Sequence, residues 1–216
     1  MKTKLKTPCI AISLAFATAS SASAATITAS SQSGLYTVSA SDLLQTQLSS
    51  TTNLLVLSGE NRTVPGDLID GTPGGALDAG GLVIQGGMIT YTLDITVNTA
   101  GYDLTGIDTY AGWRDGGRDN QRYTVSYATV VAPLTFIPIA TVFDEPVNTP
   151  QNRIQITDIG ATGVGAIRFD FSVGQENSGV GYKELDVFGT VTPIPEPSTA
   201  LLGGLGLLAI MRRRRP

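Results

Sequence analysis

The chain has 216 residues, with 18 acidic and 14 basic side chains, no histidine and a single cysteine, Cys9. The lack of histidine removes Ser-His-Asp and Cys-His catalysis, histidine zinc sites and the commonest general base near neutral pH. Half of the basic residues sit at the two ends, so residues 25–194 carry seven basic against seventeen acidic side chains, a net charge of −10 that argues against nucleic acid as a partner.

The first residues follow the plan of a secretory signal. Lys2, Lys4 and Lys6 supply a positive start, Cys9 to about Ala19 an apolar run, and Ala22-Ser23-Ala24 an A-x-A site, which places signal-peptidase cleavage after Ala24. The remaining chain has no cysteine, and therefore neither disulfides nor a thiolate metal site. Its length suits one domain, residues 25–192, large enough to build its own core.

Within that domain, one helix is predicted from Ser41 to about Leu48, where Ser41 or Asp42 can cap and Leu43, Leu44 and Leu48 share a face. Everything else reads as strands. A short β-prone run covers Leu35–Val38. Gly71 to Gly87 is glycine-rich and reads as a long surface loop crossing between sheets, or else as a linker between domains. Ile89, Tyr91, Leu93, Ile95 and Val97 then alternate with polar residues at period two. Further strand signals lie at Leu104–Tyr110, Tyr123–Tyr127, Pro138–Phe143, Ile154–Ile159, Ile167–Val173 and Tyr182–Val187, separated by Gly, Asp and Asn clusters. Many short strands with polar turns and almost no helix predict an all-β sandwich.

Three passages in this order resemble the galactose-binding-like jelly roll of discoidin and coagulation-factor C-type domains. They are Asp67-Leu68-Ile69-Asp70-Gly71-Thr72, the hairpin around Leu104–Arg118 and Tyr123-Thr124-Val125, and Gly165–Phe169 followed by Lys183-Glu184-Leu185-Asp186-Val187-Phe188-Gly189. The resemblance implies a jelly-roll fold and a structural calcium ion. Matched to the family's "D-G" loop and closing "E-L" strand, its ligands would be Asp70 and Glu184, with Thr72 as the third. The chain departs from the family there, because Thr72 follows Gly71 at once and Pro73-Gly74-Gly75 comes next. The plain alternative makes Asp70 a turn former and Glu184 an exposed strand residue.

The passage Tyr110 to Arg122 is the candidate ligand site. It holds the sole tryptophan, Trp113, with Arg114, Arg118, Asn120, Gln121 and Arg122 as polar neighbours. An aromatic face with planar donors beside it suits a sugar, whose C–H groups stack and whose hydroxyls accept and donate hydrogen bonds. The alternative has Trp113 plugging one end of the sandwich, with Arg118 paired to Asp115 or Asp119. Those two acids are also the first choice for a catalytic carboxylate pair, yet no apolar setting marks either, and surface acids that keep an exported protein soluble explain them more simply.

The chain closes with Pro195-Glu196-Pro197-Ser198, an apolar run from Thr199 to Met211, and Arg212, Arg213, Arg214 and Arg215. Thirteen apolar residues fall short of the roughly 20 that span a bilayer as a straight helix, and the arginines favour a cytoplasmic end. These residues resemble the PEP-CTERM sorting signal. That resemblance implies a short hydrophobic helix, transient insertion in the inner membrane, removal by an exosortase, and final residence at the cell surface or in the extracellular matrix. The whole predicts an exported, non-catalytic protein that binds extracellular polysaccharide, with a structural or adhesive envelope protein and a carboxylate-based secreted hydrolase as the alternatives.

Overall fold

The described residues form ten strands, the central ones built on alternating apolar residues. The computed structural model describes residues 24–57, 64–74, 81–113, 116–146, 150–172 and 177–194. In chain order the strands are β1 (Thr26–Gln32), β2 (Ser49–Thr52), β3 (Leu55–Val56), β4 (Leu82–Thr92), β5 (Tyr102–Gly112), β6 (Gln121–Thr129), β7 (Ala132–Asp144), β8 (Gln151–Thr157), β9 (Val164–Phe171) and β10 (Val180–Val191). A single turn of 3-10 helix, Pro65–Leu68, precedes β4. The fold is all-β, as the sequence predicts. The signal residues 1–23, and the predicted C-terminal helix with the whole of Pro195 to Arg215, lie outside the described residues.

The hydrogen-bonded ladder is continuous, in the order β1-β8-β5-β10-β4-β9-β6-β7, with β2 and β3 also on β4. It folds back on itself at β4, giving the two layers of a jelly roll. Leu82–Ile84 pair with Tyr182–Val180 of β10, whereas Gly87–Thr92 pair with Phe171–Ala166 of β9. Between them Gly86 and Gly87 have φ of 142° and 96°, and a Cβ on Gly87 would meet the Asn53 carbonyl at 2.6 Å. Only glycine permits that conformation and that approach, so the strand changes layer there.

Side chains from both layers meet in an aromatic core. Phe169 and Phe171, two apart on β9 and therefore on one face, stack at 6.1 Å. Tyr123 of β6 lies 5.8 Å from Phe169, and Tyr182 of β10, from the opposite layer, lies 4.7 Å from Phe171. Leu82, Ile84, Ile89, Tyr91, Ile107, Val125, Ile154, Ile156, Leu185 and Val187 complete the core.

Four expectations need correction. Ser41–Leu48 is a hydrogen-bonded turn at Leu43–Thr46. The Asp42 carboxylate accepts from the Leu44 and Val187 N–H groups, and the Leu43 N–H donates to the Val187 carbonyl, so pairing with β10 overrides the local helical pattern. Leu35–Val38 is irregular, crossing the outer face of β5 with Tyr36 against Tyr110. Of the predicted loop Gly71–Gly87, Leu82–Gly87 belongs to β4, whose apolar start suits a strand covered on both faces. The alternation after Ile89 ends at Thr92, and Asp94 closes a turn by accepting from the Thr96 N–H.

Phe169→Ala should cost about 3–5 kcal/mol of unfolding free energy by opening a cavity between the layers. Leu134→Ala, on an exposed side chain of β7, should stay within about 0.5 kcal/mol. Denaturant unfolding of the two variants measures both.

Candidate functional site

Strand direction assigns each loop to one end of the sandwich. Gly112 faces Gln151 and Tyr123 faces Phe171, so the β5–β6, β7–β8 and β9–β10 connections share one end. Thr26 faces Thr157, Thr129 faces Val164, and Tyr102 faces both Val164 and Val191, which places the first strand's start and the last strand's end at the other.

The loop end carries a pocket of about 400 Å³, lined among the described residues by Trp113, Arg118, Asn177 and Ser178. Trp113 follows β5 directly and is half-buried. It rests on the backbone of β10, where a Cβ on Gly181 would meet its Cε3 at 2.9 Å and the Gly112 carbonyl at 3.0 Å. The Arg118 guanidinium sits over the indole, 4.7 Å from the ring centroid. The Gly181 N–H donates to the Arg118 carbonyl at 2.8 Å, tying the β5–β6 loop to β10. Arg118, Asn177 and Ser178 all have positive φ, of 65°, 41° and 66°. Three non-glycine residues in that region at one pocket mark a backbone held by its surroundings.

The sequence-predicted set is only partly brought together. Trp113 and Arg118 line the pocket. Arg122 pairs with Glu145 and lies 4.0 Å over the Phe143 ring, so it braces β6 against β7. Asn120 is half-buried and is not among the described lining residues. Arg114 and Asp115 lie outside the described residues. Asp119 is fully buried, its carbonyl accepting from the Asn152 side chain, which argues against its use as an exposed catalytic acid. The pocket residues that sequence reasoning missed, Asn177 and Ser178, come from the polar stretch Gly174–Gly179 before β10, which holds no aromatic residue and whose one charge, Glu176, is an acid of the kind found throughout the domain.

A second polar centre lies beneath the N-terminal crossing segment. Glu184 and Asp186 alternate on β10 and point away from the core, yet both are fully buried. The Ser39 N–H donates to Asp186 at 2.8 Å, and the Gly71 N–H to Glu184 Oε1 at 2.9 Å. Burial pushes the Glu184 carboxyl up to about 9, with Asp186, Asp70 and Asp42 adding to the rise against the Gly71 hydrogen bond. Burial likewise raises Asp186 to about 7 and Asp42 above its ordinary value. Asp70 is exposed, and its Oδ1 accepts from the N–H and hydroxyl of Thr72. The reading of Glu184 as an exposed strand residue is therefore wrong, because the segment around residues 39–45 and the turn at Gly71 cover it. Gly71 itself needs its φ of 72° and lies against Ala40.

The C-terminal residues 193–215 match the PEP-CTERM protein-sorting motif. This chain carries a PEP-CTERM sorting signal. The motif marks a secreted protein processed at the membrane. No curated protein matches the sequence. Among solved structures, the chain is similar to CpGH89CBM32-5 from Clostridium perfringens, in complex with GalNAc-β-1,3-galactose. The two are 16% identical with a TM-score of 0.46 over 68% of this chain and 99% of that one. It is also similar to CBM32-3 from a family 31 glycoside hydrolase of Clostridium perfringens (20%, 0.41, 67% and 90%). The third is the CBM32 of AlyQ in complex with 4,5-unsaturated mannuronic acid (15%, 0.41, 66% and 95%).

Gly181→Ala should push Trp113 off its backbone seat. Overpacking of this kind costs about 1–3 kcal/mol, and the indole emission should move to longer wavelength as the ring gains water. Fluorescence and denaturant unfolding of the one variant read both effects.

Proposed function

We propose that this chain is an exported, non-catalytic module of the PEP-CTERM sorted class that binds a saccharide of the extracellular matrix or cell surface in the Trp113 pocket. The carrying observation is the pocket itself: a half-exposed indole, a guanidinium above it, and the polar side chains of Asn177 and Ser178 around about 400 Å³. That volume lies in the range of about 300–1,000 Å³ typical of small-molecule sites. The indole offers an apolar face to sugar C–H groups, and the guanidinium and the amide offer planar donors to hydroxyls. Signal peptidase and an exosortase would act on the chain during export, and extracellular polysaccharide would be its lasting partner.

The test is a glycan-binding screen on the chain, followed by titration of Trp113 emission with any ligand found. Trp113→Ala should weaken binding by on the order of tenfold or more, corresponding to roughly 1.4 kcal/mol. Arg118→Gly should weaken it too with the protein still folded, because glycine accepts the φ of 65° without strain and so offsets part of the lost contact with the indole. Indole emission indifferent to every glycan, with both variants folded, would contradict the reading.

Calcium belongs to the same proposal as a structural ion. Its ligands would be Asp70 and Glu184, with Thr72 contributing beside them. The donor chemistry fits: Glu184 Oε2 is buried and accepts no hydrogen bond among the described residues, and a cation beside it would favour the carboxylate that burial disfavours. A divalent cation there would supply the missing partner, with carbonyl oxygens completing the hard-oxygen shell it needs. Among the described residues no three acidic side chains are arranged so that they alone could hold a metal ion, so carbonyls would carry much of the coordination. Calcium should raise the melting temperature, and Asp70→Ala should abolish the rise. Melting curves identical in chelator and in excess calcium refute the metal but leave the saccharide reading standing.

A further inference from the structure

The end of the sandwich opposite the pocket presents the three most exposed large apolar side chains among the described residues. Leu134 is 92% exposed, Val131 89% and Val97 82%. Val97 lies in the turn between β4 and β5, and Val131 and Leu134 lie at the β6–β7 hairpin tip. The two tips are neighbours. The Val130 N–H donates to the Gly163 carbonyl at 2.9 Å, and the Gly163 N–H donates to Asp103 Oδ1 and Thr192 Oγ1 at 3.2 and 3.1 Å. The Thr192 N–H in turn donates to the Gly101 carbonyl at 3.0 Å. Gly163 thus holds together the hairpin tip, the start of β5 and the point where the chain leaves the domain.

The direction of that exit matters. Beyond Thr192 the chain passes Ile194, itself exposed, and reaches the apolar run at Thr199 only five residues later. Five residues span at most about 17 Å, so a membrane-inserted tail holds this end, and not the pocket end, against the bilayer. The first strand also starts here, at Thr26 opposite Thr157. Between residues 93 and 104, 127 and 134, 157 and 164, and 190 and 194 there is no lysine or arginine, while Asp94, Asp103 and Asp158 are present.

We propose that this end is a lipid-contact surface: while the tail is inserted, Val97, Val131, Leu134 and Ile194 enter the interfacial layer of a phospholipid bilayer. Exposed apolar tips partition into that layer by the area they remove from water. With acids and no cations in these segments, the contact is apolar and favours zwitterionic over anionic lipid. It rests on the sorting tail and is independent of the saccharide site.

The test uses the full chain in a Cys9→Ser background with a single cysteine introduced as Val131→Cys or Phe143→Cys, each carrying an environment-sensitive dye. Both native side chains are exposed, so neither change disturbs the core. The chain is reconstituted with phosphatidylcholine vesicles containing a lipid nitroxide, and the vesicle-bound fraction is isolated by flotation. The dye at 131 should shift to shorter wavelength and lose most of its emission to the nitroxide. The dye at 143, towards the pocket end, should do neither. Replacing half of the phosphatidylcholine with phosphatidylglycerol should weaken the quenching at 131.

Failure of the chain to float, or an unquenched dye at 131 in the floating chain, overturns the proposal. Equal quenching at 131 and 143, or stronger quenching on the anionic vesicles, also overturns it. A blue shift at 131 without quenching reports burial against a second copy and equally rules it out. None of these outcomes bears on glycan binding at Trp113.

Discussion

At Gly86 and Gly87, β4 leaves the layer it shares with β10 and enters the one it shares with β9. The close approach of the Asn53 carbonyl leaves no room for a Cβ at Gly87. Because one strand serves both layers, their separation and relative alignment are fixed by covalent connection as well as by packing. The aromatic side chains of β6, β9 and β10 then fill the space between. That alignment brings the start of β10 beneath the end of β5, so that Trp113 can rest on Gly181. The pocket follows from how the layers are joined.

The outer face of β10 shows a second consequence. In a two-layer sandwich, alternate residues of a strand face solvent, and Glu184 and Asp186 occupy such positions. The crossing segment covers them, and desolvation raises both carboxyls. Asp108, on β5 beside them, has the Arg153 guanidinium 2.6 Å from its Oδ2. Among the described residues, Glu184 has the Gly71 and Gln45 N–H groups as donors. A carboxyl buried without a cationic partner among the described residues is costly, which is the physical basis for the calcium ion proposed beside Glu184.

The legibility of these features in the sequence followed their physical basis. Strands with one buried face, such as Ile167–Phe171, announced themselves by alternation. The edge strand β1 has every residue exposed and showed no pattern to find. Leu82–Ile84 is buried on both faces, and its glycine neighbours made a central strand look like loop. The helical spacing at Ser41–Leu48 was real, but Asp42 spends its carboxylate on β10, a contact 145 residues away that no local pattern encodes. At the pocket, Trp113 and Arg118 stood out by residue type. Asn177 and Ser178 join them only because β10 returns beside β5.

The two ends of the sandwich therefore have opposite chemistry. One end holds an indole, a guanidinium and polar turns with strained backbone. The other holds exposed aliphatic tips, no cation among the segments that form it, and the exit towards the sorting tail. A saccharide pocket placed at the tail's end would face the bilayer while the tail is inserted and be blocked by it. Placed at the far end, about one strand length away, the proposed pocket would stay open to the extracellular side whether the tail is inserted or cut. Pairing of Tyr102 with Val164 and Val191 closes the tail's end around β5, so loss of the tail beyond Ile194 would release no strand. The polarity of the fold would let sorting and the proposed saccharide binding proceed without interfering.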